Sequence, residues 1–257
     1  MQLSRILFLS FTCLLGLMAD IHGQSAQDVV NKYLTALGGK EKLQSMNSLY
    51  REGVAVLDDG AQILVKTWRV YDRLYREELS SVTGKLVIIA TPSRGWISLP
   101  ASGGLFKPLT PDQFKSLVPE IDPAGPLVDY NQKGNKIELA GRDTVQGHPC
   151  YMIKIYFPSG NSAIYSIDAK TYYVLRTAYR GTTVMGAIFP DESPLNKLSA
   201  TPTGLVTTEF SDYKIIPGGY IFPYTISLSP YGAKVSIKKV EVNGNVDADA
   251  LDRKSVV

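Results

Sequence analysis

The chain has 257 residues, 44% of them hydrophobic and 10% aromatic, with a formal net charge of +3. Lys+Arg number 27 against 24 Asp+Glu, too even a balance for the basic field that grips a phosphate backbone, so no nucleic-acid partner is expected. With 15 Tyr, 8 Phe and 2 Trp against only 2 Cys, stability has to come from a packed core and not from a disulfide framework.

In chain order, residues 1–23 come first. Arg5 precedes the apolar run "ILFLSFTCLLGLM", and small or turn-forming residues follow it. That is the layout of a secretory signal, and the run is shorter than the about 20 residues a membrane-crossing helix needs. Cleavage is expected after Gly23, with Ala19 as the alternative. Acylation at Cys13 is disfavoured, because "SFTC" lacks the small residues that a lipoprotein signal places ahead of its cysteine. The rest of the chain is then exported to the periplasm with Cys150 as its single thiol, which rules out an intramolecular disulfide.

From Asp28 to Leu49 apolar residues recur at spacings of three and four, through Val29, Val30, Tyr33, Leu34 and Leu37 and then Leu43, Met46 and Leu49. This predicts a pair of amphipathic helices, with Gly38-Gly39 stopping the first. A phosphate loop needs four residues between its glycines, then Lys and Ser or Thr. Here the glycines are adjacent and Glu41 follows Lys40, so the helix stop is the better reading.

Beyond Leu49 the period changes to two, and about a dozen short β-branched and aromatic runs follow, separated by Gly, Pro, Asn and Asp. Tyr151, Ile153, Ile155 and Phe157 share one face, as do Phe222, Tyr224, Ile226 and Leu228, which is the alternation of one-faced antiparallel strands. "DDG", "VQG", "PSGN" and "PGG" supply the turns, so sequential hairpins in a meander are the economical topology. Two interruptions stand out. In "TPDQFKSLVPE", Thr110 caps a short helix that shows Phe114, Leu117 and Val118 on one side. Residues 181–204 form a connection longer than an ordinary loop, which is expected to be functional or disordered. Residues 24–246 are expected to be a single domain, and residues 247–257 a polar tail that frays.

An exported chain with the leading helix "VVNKYLTALGGKEKLQSMNSLYREG" and a long meander resembles the LolA/LolB-type periplasmic lipoprotein carriers. Further stretches carry the resemblance. "ILVKTWRVYDRLYREE" is similar to the family's second and third strands, and "PSRGWISL" to its turn-then-Trp hairpin. "GRDTVQGHPCYMIKI" and "YSIDAKTYYVLRT" are similar to the mid-barrel strands, and "TEFSDYKIIPGGYIFPYTISL" to the closing pair. The resemblance implies an α+β fold: a half-open antiparallel β-barrel of about 11–12 strands in a meander, with the N-terminal helix pair and a short helix as lid. It also implies an apolar cavity for acyl chains between sheet and helices.

Candidate lining residues are Val65, Trp68, Tyr75, Val87, Ile89, Trp96, Phe114, Leu117, Ile153, Ile155, Tyr165, Tyr224 and Ile226. In the carriers a basic residue near the end of the second strand holds the lid closed. The position the family gives to arginine reads as Thr67 here, which leaves Arg69 and Lys66 as candidate latches. The partners implied are lipoprotein acyl chains or another lipid, an inner-membrane exporter and an outer-membrane acceptor, with the protein itself a monomer. No cofactor is implied.

Catalytic groups are sparse. His148, in "QGHPC", is the single histidine after residue 23, and neither HExxH nor GxSxG occurs. His148 with Cys150 lacks a third orienting group for thiol catalysis. Asp58-Asp59 and Glu77-Glu78 are adjacent on strands and so face opposite ways. The expected function is a non-enzymatic carrier or chaperone of acylated cargo. The alternatives are an envelope protein–protein interaction module with a filled core and, behind it, a hydrolase with an unrecognised site.

Overall fold

A computed structural model of the chain describes residues 24–180, 205–229 and 232–252. The expected signal segment 1–23 and the 181–204 connection lie outside these residues.

Helix α1 (Ala26–Ala36) starts at a capping box, in which the Ser25 hydroxyl accepts from the Asp28 N–H and the Asp28 carboxylate accepts from the Ser25 N–H. It buries Val29, Val30 and Leu34. Gly38 and Gly39 end it with positive φ angles of 113° and 103°. The Gly38 N–H donates to Thr35 O at 3.1 Å and the Gly39 N–H to Leu34 O at 3.0 Å, the paired closure that needs a residue without Cβ. The glycine pair is therefore a helix stop, and α2 (Lys40–Gln44) follows it directly. Lys42 Nζ donates to Gly219 O, which sets the helix pair against the turn of a distant hairpin.

The strands are β1 (Ser48–Val56), β2 (Gln62–Val70), β3 (Leu74–Ser81), β4 (Gly84–Ala90), β5 (Gly95–Ser98) and β6 (Phe106–Pro108). After a helical crossover come β7 (Lys136–Val145), β8 (His148–Tyr156), β9 (Ser162–Asp168), β10 (Val174–Arg180), β11 (Leu205–Ile215), β12 (Ile221–Ser229) and β13 (Ala233–Val242). Among the described residues they form one antiparallel sheet of thirteen strands. Its order is β6-β5-β4-β3-β2-β1-β13-β12-β11-β10-β9-β8-β7. The meander is thus split, and β13 returns to pair with β1. The ends of the sheet, β6 and β7, do not pair, so the barrel is not closed. The strand beyond the expected dozen is β6, three residues ending in a proline, too short to show an alternation.

The crossover between β6 and β7 holds α3 (Pro111–Leu117) and a 3-10 turn, Val118–Glu120. Thr110 caps α3 as expected, its hydroxyl accepting from the Gln113 N–H and the Gln113 side chain from the Thr110 N–H. Leu117 is buried and Phe114 is half-buried against the core, but Val118 is exposed, because the chain tightens at Pro119 and turns Val118 off the apolar side.

The main core lies between the concave face of the sheet and the helical segments, and it includes Val29, Val30, Ile88, Ile153, Ile155 and Ile167. A second cluster, Leu74, Val87, Ile89 and Trp96, lies on the convex face and is covered by Ala248 and Leu251 of α4 (Ala248–Leu251). Here the expectation of a fraying tail needs correcting at residues 247–252. Asp247 caps α4, Arg73 donates to Asp249 at 2.8 Å, and the buried Arg76 donates to Leu251 O at 2.7 Å. The segment is polar, but it carries Ala248 and Leu251 on the side that meets the sheet.

Candidate functional site

Sheet and helices do not fill the space between them. A half-open cavity of about 380 Å³ remains. One wall is the concave face of β1, β2 and β3, another that of β10 to β13. The cover is made by α1, α2 and the segment after α3, through Tyr33, Leu37, Met46 and Pro119 to Pro126.

Of the expected lining residues, Val65, Tyr75, Tyr165 and Ile226 face this cavity. The other candidates lie elsewhere. Trp68 is on the convex face, its ring 5.1 Å from that of Tyr50. Val87, Ile89 and Trp96 belong to the convex cluster under α4, because the concave phase of β4 is Leu86, Ile88 and Ala90. In "KLVIIA" both phases are apolar, so alternation could not distinguish them. Ile153 and Ile155 are concave but fully buried in solid core, and Leu117 and Phe114 pack into that core beneath the cover. Tyr224 is half-buried against the core with Lys214 Nζ 4.6 Å from its ring centroid.

The two latch candidates separate cleanly. Lys66 lies on the convex face, 3.5 Å from Glu52, while Arg69 lines the cavity and its Nη2 donates to Glu120 in the covering segment. That segment is held from behind as well. Lys133 pairs with Asp122 and donates to Gly125 O at 2.8 Å, and Asn135 Nδ2 donates to Pro126 O at 3.0 Å.

The lining includes polar residues that sequence reasoning missed: Arg51, Thr67, Glu77 and Glu120, with Tyr33 and Tyr179 beside them. Tyr165 and Tyr179 share a hydrogen bond of 3.3 Å. Burial pushes the hydroxyls of Tyr33, Tyr75, Tyr165 and Tyr179 above the ordinary phenol range, so they remain neutral donors. Burial also raises the Glu77 carboxyl, although a hydrogen bond from Tyr75 opposes it. A signal for these residues was present. Arg51 is in phase with the buried Leu49 and Ala55, and Glu77 with Tyr75 and Leu79, so each is a charge on the apolar side of its strand.

Thiol chemistry finds no support at Cys150. It is buried, its Sγ donates to His148 O at 3.4 Å, and desolvation raises its pKa, whereas a nucleophilic cysteine needs that value lowered. His148 Nδ1 lies 3.1 Å from Asp168, whose carboxylate accepts the Lys170 and Thr171 N–H groups of the next turn. The group is a turn brace. Among the described residues no cluster of three His, Cys, Asp or Glu side chains is placed to hold a metal ion.

No family model and no curated protein matches the sequence. Solved structures do match the fold. A DUF1329 family protein from Desulfovibrio piger superposes with a TM-score of 0.57 at 12% identity, over 90% of this chain and 99% of that one. A LolA superfamily protein from Nitrosomonas europaea gives 0.55 at 9% identity, over 90% and 99%. The fold is LolA-like. An outer membrane lipoprotein-sorting protein domain from Vibrio parahaemolyticus gives 0.52 at 9% identity, over 90% and 97%. At these identities the likeness concerns the fold, and the cavity of this chain is read from its own residues.

Proposed function

We propose that the protein is a periplasmic, non-enzymatic carrier or chaperone that takes an acyl chain of a lipoprotein or another lipid into the cavity between sheet and helices. The observation that carries this reading is the cavity itself. At about 380 Å³ it is larger than the ~300 Å³ at which ligand pockets begin, and its mixed lining, apolar with a few converging polar groups, is typical of them. A filled interaction module would leave no such space.

Loading and release need no nucleotide or metal. Each methylene that enters contributes about 0.8 kcal/mol, so cargo moves toward whichever site buries more of it. The Arg69–Glu120 pair is placed to act as the latch, because it ties strand β2 to the covering segment and breaks when that segment lifts. An inner-membrane donor and an outer-membrane acceptor would complete the route.

Native mass spectrometry of protein released gently from the periplasm, followed by incubation with lipid extract, tests the reading. Retained or acquired lipid of defined mass is expected. A chain that stays at its bare mass under both conditions is not a lipid carrier.

A further inference from the structure

The concave face is not uniformly apolar, and its polar part is ordered. Across β1, β2 and β3 the register sets Arg51 opposite Thr67 and Thr67 opposite Glu77. In the next inward rank it sets Leu49 opposite Arg69 and Arg69 opposite Tyr75. Directly opposed residues have Cβ atoms about 4.5–5.5 Å apart, so the two guanidinium groups, diagonal neighbours, enter the same part of the cavity. Their charges are not equally matched. Arg69 is engaged by Glu120. Among the described residues no ion pair reaches Arg51, and the Nε atoms of both arginines are buried without a hydrogen-bond partner.

The surroundings record this imbalance. Burial first, and then the charge of Arg69, pushes the Arg51 pKa down to about 10, which still leaves it a cation at neutral pH. Glu77, one strand beyond Thr67, is desolvated as well, and burial raises its carboxyl while the charge of Arg51 opposes that shift. A cation out of water is costly unless something supplies the opposite charge.

The neighbouring wall has the opposite character. Phe210 is opposite Ile226 and Ile226 opposite Val235 across β11, β12 and β13. Because β13 pairs with β1, with Val240 opposite Arg51 and Val235 opposite Ala55, the charged rank and the apolar rank lie on one concave surface.

We propose that the cavity binds a single-chain amphiphile with an oxyanion headgroup, a carboxylate or a phosphate, whose oxygens accept from the Arg51 and Arg69 guanidinium groups while its chain lies along Phe210, Ile226 and Val235. This rests on the carrier reading and narrows its cargo to a free anionic amphiphile. The size agrees: a cavity of about 380 Å³ lies in the range of single small-ligand pockets, on the order of 300–1,000 Å³.

Displacement of a neutral fluorescent lipid by laurate, dodecyl phosphate and 1-dodecanol tests the inference, with the wild-type protein, Arg51→Gln and Arg51→Lys compared. At least one of the two anions is expected to compete about tenfold or more better than the alcohol, the scale of a charge-assisted hydrogen bond. Arg51→Gln should shrink that preference to about threefold or less and leave the alcohol within about twofold of wild type. Whichever of laurate and dodecyl phosphate competes better identifies the headgroup. If Arg51→Gln does not fold, Arg51→Lys, which keeps the charge but loses the Nε–H, carries the same comparison with a smaller expected loss of about threefold. Equal competition by all three compounds would remove the anionic headgroup and leave the carrier reading standing. An anion preference that Arg51→Gln leaves intact would overturn the assignment to this cluster. If neither the probe nor any competitor binds, both readings fall.

Discussion

Arg51 and Glu77 show how one residue can work against its strand. Each occupies a concave position whose neighbours in phase are buried and apolar, so each is desolvated by the fold that places it. For Glu77 this has a sign that can be measured. Its folded-state pKa is raised, with burial as the largest cause, so the folded protein holds this proton over a range where the unfolded chain has lost it. Stability from this group is therefore full at low pH, and it is lost as pH rises through the raised folded value. Glu77→Gln removes the titration and keeps the shape. Thermal melts of variant and wild type from about pH 4 to about pH 8 should show the variant gaining on the wild type as pH rises. A difference that stays constant with pH would mean that Glu77 ionises normally. Glu52, Glu78 and Asp129, whose carboxyls are held low by hydrogen bonds and cations despite partial desolvation, pull the wild-type profile the other way. Only the comparison with the variant isolates Glu77.

At the level of elements, the site depends on a bend and on a strap. Strand β1 shifts register against β13 between Glu52 and Gly53, and a Cβ on Gly53 would meet Ser236 O at 2.7 Å and Ile237 Cα at 3.1 Å. Both contacts involve backbone that is held in the ladder, so Gly53→Ala should cost about 1–3 kcal/mol, as overpacking does. Denaturant titration reads this directly, and a loss below about 0.5 kcal/mol, the range of neutral surface changes, would show that the sheet yields there. The strap is the segment Val118–Pro126, tied to β2 by Arg69–Glu120 and to the chain behind it by Lys133 and Asn135. Arg69→Leu removes the front tie alone. Amide exchange across residues 118–126 should then accelerate about tenfold, the equivalent of one lost charge-assisted contact, while exchange in β7 to β9 is unchanged. If the segment exchanges at the wild-type rate, Lys133 and Asn135 hold it unaided and the latch has no work.

For the molecule, what matters is that the thirteen strands of the described residues form a sheet that curls without closing. β13 returns to β1, so first and last strands share a seam, and the free ends of the sheet fall at β6 and β7. The helical crossover leaves from one of those ends and arrives at the other, which places the cover over the opening by connectivity alone. The convex side needs its own cover for Leu74, Val87, Ile89 and Trp96, and the C-terminal α4 provides it. Much of this architecture was legible in advance. Helix spacing, the glycine stop, the change to period two and the turn residues locate the elements, but the expected plain meander did not contain the return of β13 to β1. The cavity residues were legible only in part. Val65, Tyr75, Tyr165 and Ile226 sit where an alternating strand puts them, whereas Trp68, Val87, Ile89 and Trp96 fall on the other face.

The sequence by itself determined the phase within each strand, because a period of two is a local property of successive Cα–Cβ bonds. It also determined where α1 stops and where α3 starts, since caps and left-handed stops involve only a few neighbouring residues, whereas Leu49, expected at the end of the helix pair, lies in β1. Only the tertiary structure decided which phase of a run such as "KLVIIA" faces inward, where Arg51 comes beside Arg69, and that Glu120 reaches across from another element. Those outcomes depend on strand pairing between residues far apart in the chain and on the direction of the sheet's curvature, and neither leaves a mark on the spacing of side chains along a single strand.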